Sequence, residues 1–279
     1  MSVAVLMSIY KNETVSNFHR VMSSVWDNQT YKPKEIILVQ DGPLYEALDE
    51  AIGQWKCKLG NILILVRNDV NIGLTKSLNK GIAYVTSTYI ARMDIDEVAK
   101  PNRFELQVAY LKNNPSIDIL GGASEHYNEN GEYVYTKHHP ITPSEARKQI
   151  AKLCPLSHSC VMMKTSLFHS GLLKYDERYR NSQDIALWFD AMAAGCNIAN
   201  LPDVIMETYD DDGLFQRRGY VRAKNEFVIF MRGIYKLYGC FTLKYIYPIM
   251  RLVLRLLPKC IVEKVYNSKF HHNLYAKNK

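Results

Sequence analysis

Three carboxylates are crowded into a short stretch directly after an apolar segment. The apolar segment is 89–93, and Asp94, Asp96 and Glu97 follow it. Two aspartates that are two positions apart can turn toward one point, and such paired oxygen ligands suit Mg²⁺ or Mn²⁺, with substrate phosphates completing the shell. Aspartate also favours solvated turns, so the pair alone is equally compatible with a plain turn.

The neighbouring elements predict where these carboxylates lie. Segment 89–93 has the apolar, β-branched character of a buried strand. Pro101 then stands near the start of a helical pattern formed by Phe104, Val108 and Leu111. The carboxylates therefore occupy a strand-to-helix loop at the carboxyl end of a strand, which is the edge where open α/β sheets bind ligands.

The rest of the first hundred residues repeats the same alternation. Amphipathic helical patterns separate four apolar runs, at 3–7, 35–40, 62–66 and 89–93. This alternation predicts an α/β protein with a doubly wound, mostly parallel sheet. The second half is less regular. It contains a hairpin pattern at 127–135 around Asn130-Gly131, strand patterns at 117–121, 159–163 and 204–208, and helical patterns beginning at 142, 184 and 221.

Composition limits the class of protein. The chain has 279 residues, 47% of them hydrophobic, and a net charge of +7. This predicts one large domain, or a domain with an appendage, and permits anionic partners. Its six cysteines show no Cys-x-x-Cys spacing, so we expect free thiols in a reducing, cytoplasmic compartment. The first residues lack the basic flank of a signal peptide, and no uncharged apolar run reaches about 18 residues, so no spanning helix is expected.

Several motifs together resemble one enzyme family. The matching segments are 5–13, 37–42, 71–79, 91–96, 101–105 and 183–184. In order and spacing they are similar to family 2 glycosyltransferases of GT-A fold, especially the bacterial enzymes that build O-antigen or capsule repeat units. The resemblance covers about residues 1–220. It implies a Rossmann-like nucleotide-binding half at 1–100 and an acceptor half at 101–220. The remaining residues, 221–279, are predicted from their own pattern to form a helical, basic C-terminal region.

The resemblance also implies a UDP-sugar donor and the residues that contact it. These are Ser8, Tyr10, Glu13, Asp41, Asn71, Gly73, Lys76, Arg92, Asp94, Asp96 and Arg217. Most of these positions also have a purely structural interpretation, as helix entries, Asp-Gly or Asn-x-Gly turns, or solvated charges. The run 210–212 before Gly213 is best explained as turn chemistry rather than a second metal site.

An inverting mechanism follows from the same resemblance. We expect Asp96 to hold Mn²⁺ or Mg²⁺, and Asp94 to contact either the ion or the ribose. Asp184 matches the family's catalytic base, at a helix N-terminus where the dipole favours its ionised form. His158 and Gln183 match the acceptor and sugar site. The expected product is a β-glycoside on a lipid-linked saccharide. The family usually has Asp-x-Asp-Asp, and here Glu97 occupies the last place.

The C-terminal region combines basic and apolar residues. From 244 onward there are eight lysines and arginines against one acid, Glu263. This pattern suits an interfacial helix on anionic lipid, on the inner face of the bacterial cytoplasmic membrane. It is also compatible with a helix that packs on the catalytic domain or on a second copy in a homodimer.

Two other functions are compatible with the composition. A sugar-phosphate nucleotidyltransferase shares a related fold but needs a glycine- and arginine-rich phosphate loop, which segment 8–12 lacks. A non-catalytic nucleic-acid-binding protein is permitted by the charge. However, the α/β half has no basic stripe with interleaved aromatics, so no nucleic-acid partner is expected.

Overall fold

The computed structural model describes residues 1–209 and 220–256, apart from the side chains at 220–222 and 254–256. The strands are β1 (Val3–Ile9), β2 (Glu35–Asp41), β3 (Leu63–Asn68), β4 (Tyr89–Arg92), β5 (Val98–Ala99), β6 (Ile119–Tyr127), β7 (Tyr133–Lys137), β8 (Met162–Lys164) and β9 (Ile198–Tyr209). The helices are α1 (Val15–Met22), α2 (Glu46–Leu59), α3 (Leu74–Ile82), α4 (Arg103–Asn113), α5 (Pro143–Gln149), α6 (Ser166–His169), α7 (Gln183–Ala193), α8 (Tyr220–Tyr238) and α9 (Ile246–Leu256).

These strands form one mixed sheet within the described residues. Its order is β3-β2-β1-β4-β8-β6-β9-β5, and β7 pairs with β6. The first four strands are parallel to one another, and β8 is antiparallel to β4 and to β6. The predicted doubly wound, mostly parallel α/β architecture is confirmed.

The sheet is covered on both faces, as the continuous apolar run of β1 requires. Val3, Val5 and Met7 pack in one core cluster with residues of α1 and α2. Ala4 and Leu6 belong to the opposite cluster, with residues of α3 and α7. Successive residues of a strand point to opposite faces, so each face of β1 contributes to a separate core.

The register of the parallel strands brings the ends of β1, β2, β3 and β4 to one edge of the sheet. Leu6 of β1 lies opposite Arg92 of β4, and both chains leave the sheet shortly afterwards. Asp41, the last residue of β2, lies opposite Asn68, the last residue of β3. The loops that follow these four parallel strands therefore meet at the same carboxyl edge.

The second half differs in detail from the sequence prediction. The hairpin around Asn130-Gly131 is confirmed as the β6–β7 turn. The predicted strand at 159–163 is largely wrong, because His158–Cys160 forms a 3₁₀ turn and the strand covers only Met162–Lys164. Strand β9 extends well before the predicted 204–208, since it pairs with β6 along most of its length.

Helix α8 is packed against α7. The rings of Phe189 on α7 and Phe230 on α8 meet edge to face, with centroids 5.5 Å apart. Gly233 permits this approach, because a Cβ there would lie 2.1 Å from the ring of Phe189. Ile229 and Ile234 of α8 are also fully buried in this core. Helix α8 therefore contributes to the core that contains α7, although the predicted boundary at 220 stays a prediction.

Among the described residues, no helix is both long enough and apolar enough to cross a lipid bilayer. The cysteines within this part of the chain, Cys57, Cys154, Cys160, Cys196 and Cys240, are free thiols, as predicted.

Candidate active site

The loop after β1 forms one wall of the site. Ser8 is partly buried near the end of the strand, and Tyr10 is exposed in the loop. The backbone N–H of Glu13 donates to the carbonyl of Tyr10 at 3.1 Å, and the hydroxyl of Tyr45 donates to the carbonyl of Glu13 at 3.0 Å. These bonds hold the hydroxyl, ring and carboxylate that the sequence assigned to the donor on one ordered loop.

Asp41 is buried and anchors a second loop. Its carboxylate accepts from the backbone N–H groups of Ile72 at 2.8 Å and Gly73 at 3.0 Å, and from the amide of Asn68 at 3.1 Å. The amide of Asn71 donates to the Asp41 carbonyl at 3.3 Å. The structure therefore brings Asp41, Asn71 and Gly73 together, as the sequence suggested, and gives Asp41 a structural task as well.

Two glycines allow these loops to approach each other. Gly42 has φ +91°, and a Cβ there would lie 2.7 Å from the backbone nitrogen of Asn71. Gly73 has φ +88° and is the N-cap residue directly before α3. Such positive φ values favour glycine over other residues. Lys76 follows on the first turn of α3, and its side chain is exposed to solvent.

The carboxylate loop after β4 concentrates negative charge. Arg92 is buried and forms a two-pronged ion pair with Asp94. Asp96 is exposed, and its backbone carbonyl accepts from Arg20 at 3.1 Å. Burial, followed by the charges of Asp96 and Asp94, raises the pKa of Glu13 to about 7. The two wall loops therefore share one acidic region.

Glu97 lies behind this region rather than in it. Its side chain is buried and accepts from the hydroxyl of Thr208 on β9 at 3.1 Å. Burial and the charge of Asp94 raise its pKa, although Arg92 acts in the opposite direction. Glu97 therefore links the carboxylate loop to the strand that precedes residues 210–219.

The acidic region has the donor chemistry that a divalent cation needs. Asp96 and Asp94 supply hard oxygens, and Asp94 is already oriented by Arg92. Within the described ranges, no three His, Cys, Asp or Glu side chains converge as a ready-made metal cage. Mg²⁺ typically needs only one or two protein carboxylates when nucleotide phosphates complete its shell, so the residues fit the expected ion.

Asp184 lies in the first turn of α7. Burial raises the pKa of its carboxyl, while the backbone N–H of Ile185 and the charge of Arg92 lower it. Arg92 thus acts electrostatically on Asp184 as well as on Asp94. Gln183, before Asp184, is buried. The structure therefore brings the predicted base and the carboxylate loop to one arginine.

Ser182, the residue before α7, has an unusual backbone. Its φ is +60°, and it is the only described residue other than glycine with a positive φ. Its hydroxyl donates to a carboxylate oxygen of Glu226 on α8 at 3.3 Å. Left-handed backbone at a non-glycine residue costs free energy and is concentrated at functional sites. Helix α8 therefore helps to fix the entry into the helix of Asp184.

His158 packs against Tyr175 and against Trp188 of α7. Its Nε2 lies 2.7 Å from the hydroxyl of Tyr175, and its ring meets Trp188 of α7 edge to face with centroids 6.0 Å apart. Burial and the nearby Arg92 hold the pKa of His158 well below its usual value. His158 is therefore a neutral hydrogen-bonding group at neutral pH rather than a cation.

The sequence did not assign roles to several side chains that build the site. Arg20 supports the loop of Asp96 and stacks on Tyr209, with its guanidinium carbon 4.4 Å from the ring centroid. Arg103 is buried and donates to the carbonyls of Arg92 at 2.9 Å and Ser159 at 2.8 Å. Of these residues, only Arg103 lay in a segment singled out beforehand, 101–105.

Tyr175 and Glu226 are the other two site residues that sequence reasoning missed. Tyr175 is fully buried and bonds to His158, and Glu226 is buried and bonds to Ser182. Both act through partners that are distant in sequence, so no local pattern could have found them. Arg217 and the run 210–212 lie outside the described residues.

Comparison with known proteins decides the family. The sequence profile described as "Glycosyl transferase family 2" matches residues 5–172. The chain belongs to glycosyl transferase family 2. This assignment selects glycosyl transfer over the two alternative functions that the composition allowed.

Curated members of glycosyl transferase family 2 match this chain over nearly its whole length. The amylovoran biosynthesis glycosyltransferase AmsE of Erwinia amylovora is 30% identical over 267 residues, covering 95% of this chain and 98% of that protein. A second relative is the Escherichia coli UDP-Gal:alpha-D-GlcNAc-diphosphoundecaprenol beta-1,3-galactosyltransferase. It is 28% identical over 271 residues, with 95% of each chain covered.

A solved structure supports the fold of this family 2 glycosyltransferase. S. aureus TarS 1-349, crystallised in complex with UDP-GlcNAc, superposes with a TM-score of 0.66 and 16% identity. The match covers 91% of this chain and 72% of that one. The likeness confirms the GT-A fold.

Proposed function

We propose that this glycosyltransferase moves a hexose or N-acetylhexosamine from a UDP-sugar to a hydroxyl of a polyprenyl-diphosphate-linked saccharide. The reaction inverts the anomeric centre and forms a β-glycosidic bond, in the synthesis of O-antigen or a related surface polysaccharide. One observation carries the proposal: the buried Arg92 forms a two-pronged ion pair with Asp94 of the carboxylate loop, at the carboxyl edge of the parallel strands.

The relatives support the substrate classes. The Escherichia coli relative is named for a UDP-galactose donor and a diphosphoundecaprenol-linked acceptor. TarS was crystallised with UDP-GlcNAc. In this chain, the loops of Ser8 to Glu13 and of Asp41 to Gly73 are the parts assigned to the nucleotide.

The carboxylate loop is assigned to the diphosphate. Mn²⁺ or Mg²⁺ bound there supplies a positive charge that offsets the charge developing on the departing UDP. Asp96 is the principal ligand, since it is the more exposed aspartate, and Asp94 is the second. Arg92 pairs with Asp94 and orients its carboxylate, and Lys76 and Arg217 are assigned to the donor as further cations.

Asp184 is assigned as the general base. Its carboxylate removes the proton from the acceptor hydroxyl as the oxygen attacks the anomeric carbon from the face opposite the diphosphate. Neutral His158, bonded to Tyr175, and buried Gln183 are assigned to hydrogen-bond the sugar or the acceptor. Transfer depends on an ionised Asp184, so the rate is expected to fall as the pH drops through its raised pKa.

The C-terminal region is assigned to the membrane surface. Its basic and apolar character suits anionic lipid on the inner face of the cytoplasmic membrane, where a polyprenyl-linked acceptor resides. This assignment places the enzyme in the cytoplasm as a peripheral membrane protein.

The proposal is tested by UDP release over a panel of UDP-sugars, with Mn²⁺ and a lipid-diphosphate acceptor. We expect Asp184→Asn to lose about 10³-fold or more in turnover, because an amide cannot accept the proton. We expect Asp96→Ala to lose about 10²-fold, because it removes the principal ligand of the charge-neutralising ion.

Asp190→Asn is the matched control for the base. Asp190 lies on the same helix and pairs with Lys236 of α8, and loss of such a partly exposed pair has little energetic effect. It is expected to retain wild-type turnover. Full turnover by Asp184→Asn, or no UDP release with any UDP-sugar by the wild type, contradicts the proposal.

A further inference from the structure

The turn between α8 and α9 exposes two large apolar side chains to solvent. Phe241 is 98% exposed and Leu243 is 92% exposed, more than any other large hydrophobic residue described. We call these two residues the apolar turn. Single exposed apolar residues are ordinary on a protein surface. Two of them close together in the chain indicate an interaction site only when the exposed apolar surface extends beyond them.

Helix α9 continues this apolar surface. Four of its side chains are about half exposed, and they recur at the spacing of one helical face: Ile246, Ile249, Met250 and Val253. We call these four residues the α9 stripe. The other side of α9 faces the protein, since the guanidinium of Arg251 stacks on Phe230 of α8 at 4.3 Å from the ring centroid. The apolar turn and the α9 stripe are thus adjacent in the chain and exposed to solvent.

The charged residues of the segment that forms this surface are all basic. Segment 239–256 contains Lys244, Arg251 and Arg255 and no aspartate or glutamate. A further cation comes from outside the helix, because the ammonium of Lys152 lies 5.1 Å from the ring centroid of Tyr247. An apolar strip in a segment whose charged residues are all basic is complementary to the interface of a bilayer that carries anionic headgroups.

We propose that the apolar turn and the α9 stripe insert into the headgroup region of an anionic bilayer, with α9 lying in the plane of the interface. This inference deepens the membrane part of the proposed function and rests on it. A second copy of the chain fits less well. A twofold contact through the stripe would bring the same basic residues of both copies together without an acidic complement from 239–256.

The docked surface adjoins the start of the catalytic helix. A guanidinium nitrogen of Arg251 on α9 lies 4.0 Å from a carboxylate oxygen of Glu226 on α8. The other carboxylate oxygen of Glu226 accepts from Ser182, two residues before Asp184. Lipid docking through α9 therefore presents the Asp184 side of the site, rather than the nucleotide loops, to an acceptor held in the bilayer.

The test is co-flotation of the full chain with vesicles of phosphatidylcholine alone or with phosphatidylglycerol added. The wild type is expected to float with the anionic vesicles and to be released by high salt. Phe241→Ser/Leu243→Ser is expected to weaken partitioning about tenfold or more, since it removes the insertable side chains without changing charge. Ile249→Ser/Val253→Ser is expected to weaken it similarly.

Val134→Ser/Leu172→Ser is the matched control, because both residues are more than half exposed and lie outside the C-terminal helices. It is expected to float like the wild type. Thermal melting and UDP binding confirm that each variant is folded. The inference is overturned if the wild type does not float, or if the apolar-turn variant floats undiminished. It is also overturned if that variant instead converts a wild-type dimer to a monomer in light scattering.

UDP release from a UDP-sugar, measured without vesicles, separates this inference from the proposed reaction. If the wild type floats with the vesicles but releases no UDP, the lipid-binding inference stands and the proposed transfer reaction is contradicted. If it releases UDP but does not float, the proposed reaction stands and the lipid-binding inference is contradicted.

Discussion

The pKa of the Asp184 carboxyl is influenced by groups from several elements. Burial raises its pKa and so does Glu226 of α8, while Arg92 of β4 and the backbone N–H of Ile185 lower it. Cys154 and Tyr175 face the same carboxylate, which helps to raise the pKa values of both. As the proposed base, Asp184 must be ionised to accept a proton, so these opposing influences are expected to set the lowest pH at which the enzyme works.

Glu226→Gln is predicted to move the acidic limb of the pH–rate profile toward lower pH. The substitution keeps the shape of the side chain and its bond to Ser182, but it removes a negative charge that opposes ionisation of Asp184. With less opposition, Asp184 stays ionised to a lower pH, and transfer persists there. The measurement is kcat/KM for UDP release between about pH 4 and pH 8.

Glu132→Gln provides the control, since Glu132 is exposed in the hairpin turn and pairs with Asn128. Its acidic limb is expected to coincide with that of the wild type. If the acidic limb of the Glu226→Gln profile does not move, Glu226 acts only through its contact with Ser182 and not through its charge. A purely structural loss lowers the rate without moving the limb.

At the scale of elements, α4 connects the strands that carry the site. Arg103 donates to the carbonyls of Arg92 and Ser159, and its Nε donates to Gln107 at 3.3 Å. Gln107 in turn donates to the carbonyls of Cys160 at 2.8 Å and Leu120 at 3.1 Å. Two side chains on one helix thus fix the end of β4, the turn of His158 and the start of β6.

Arg103→Met is predicted to lower the free energy of unfolding by about 2–4 kcal/mol, because two buried carbonyls lose a charged donor. Urea denaturation measures the change. Lys112→Met, at the exposed end of the same helix, is expected to change stability by less than about 0.5 kcal/mol. Equal stability of the two variants would show that the carbonyls find other partners and that Arg103 is dispensable.

Elements were predictable where the signal was local. The parallel strands β1 to β4 follow from apolar runs, whereas Asp41, Asn71 and Gly73 were assigned to one site through the family resemblance. Strand β8, with three residues, could not be predicted as a partner of β4, because nothing in 159–163 specifies pairing across 70 residues or more. The link from Glu226 to Ser182 was hidden for the same reason.

At the scale of the whole molecule, three packed helices connect the proposed lipid-binding surface to the proposed base. Helix α9 carries the exposed apolar surface, α8 packs between α9 and α7, and α7 begins beside the base. The nucleotide loops lie instead at the carboxyl edge of β1 to β4. The donor and the acceptor are therefore expected to reach the site from different sides, the donor from the cytoplasm and the acceptor from the bilayer.

This arrangement predicts that loss of the apolar turn depends on how the acceptor is presented. With a long-chain polyprenyl-diphosphate acceptor in anionic vesicles, Phe241→Ser/Leu243→Ser is expected to lose about tenfold or more in turnover, because docking raises the effective concentration of enzyme at the acceptor. With a short-chain, water-soluble analogue, the same variant should match the wild type, since both residues lie in a turn outside the catalytic groups. UDP release measures both reactions, and Val134→Ser/Leu172→Ser should be unaffected in either. A similar loss with both acceptors would instead mean that the turn supports α8 and the helix of Asp184, and that lipid contact has no part in catalysis.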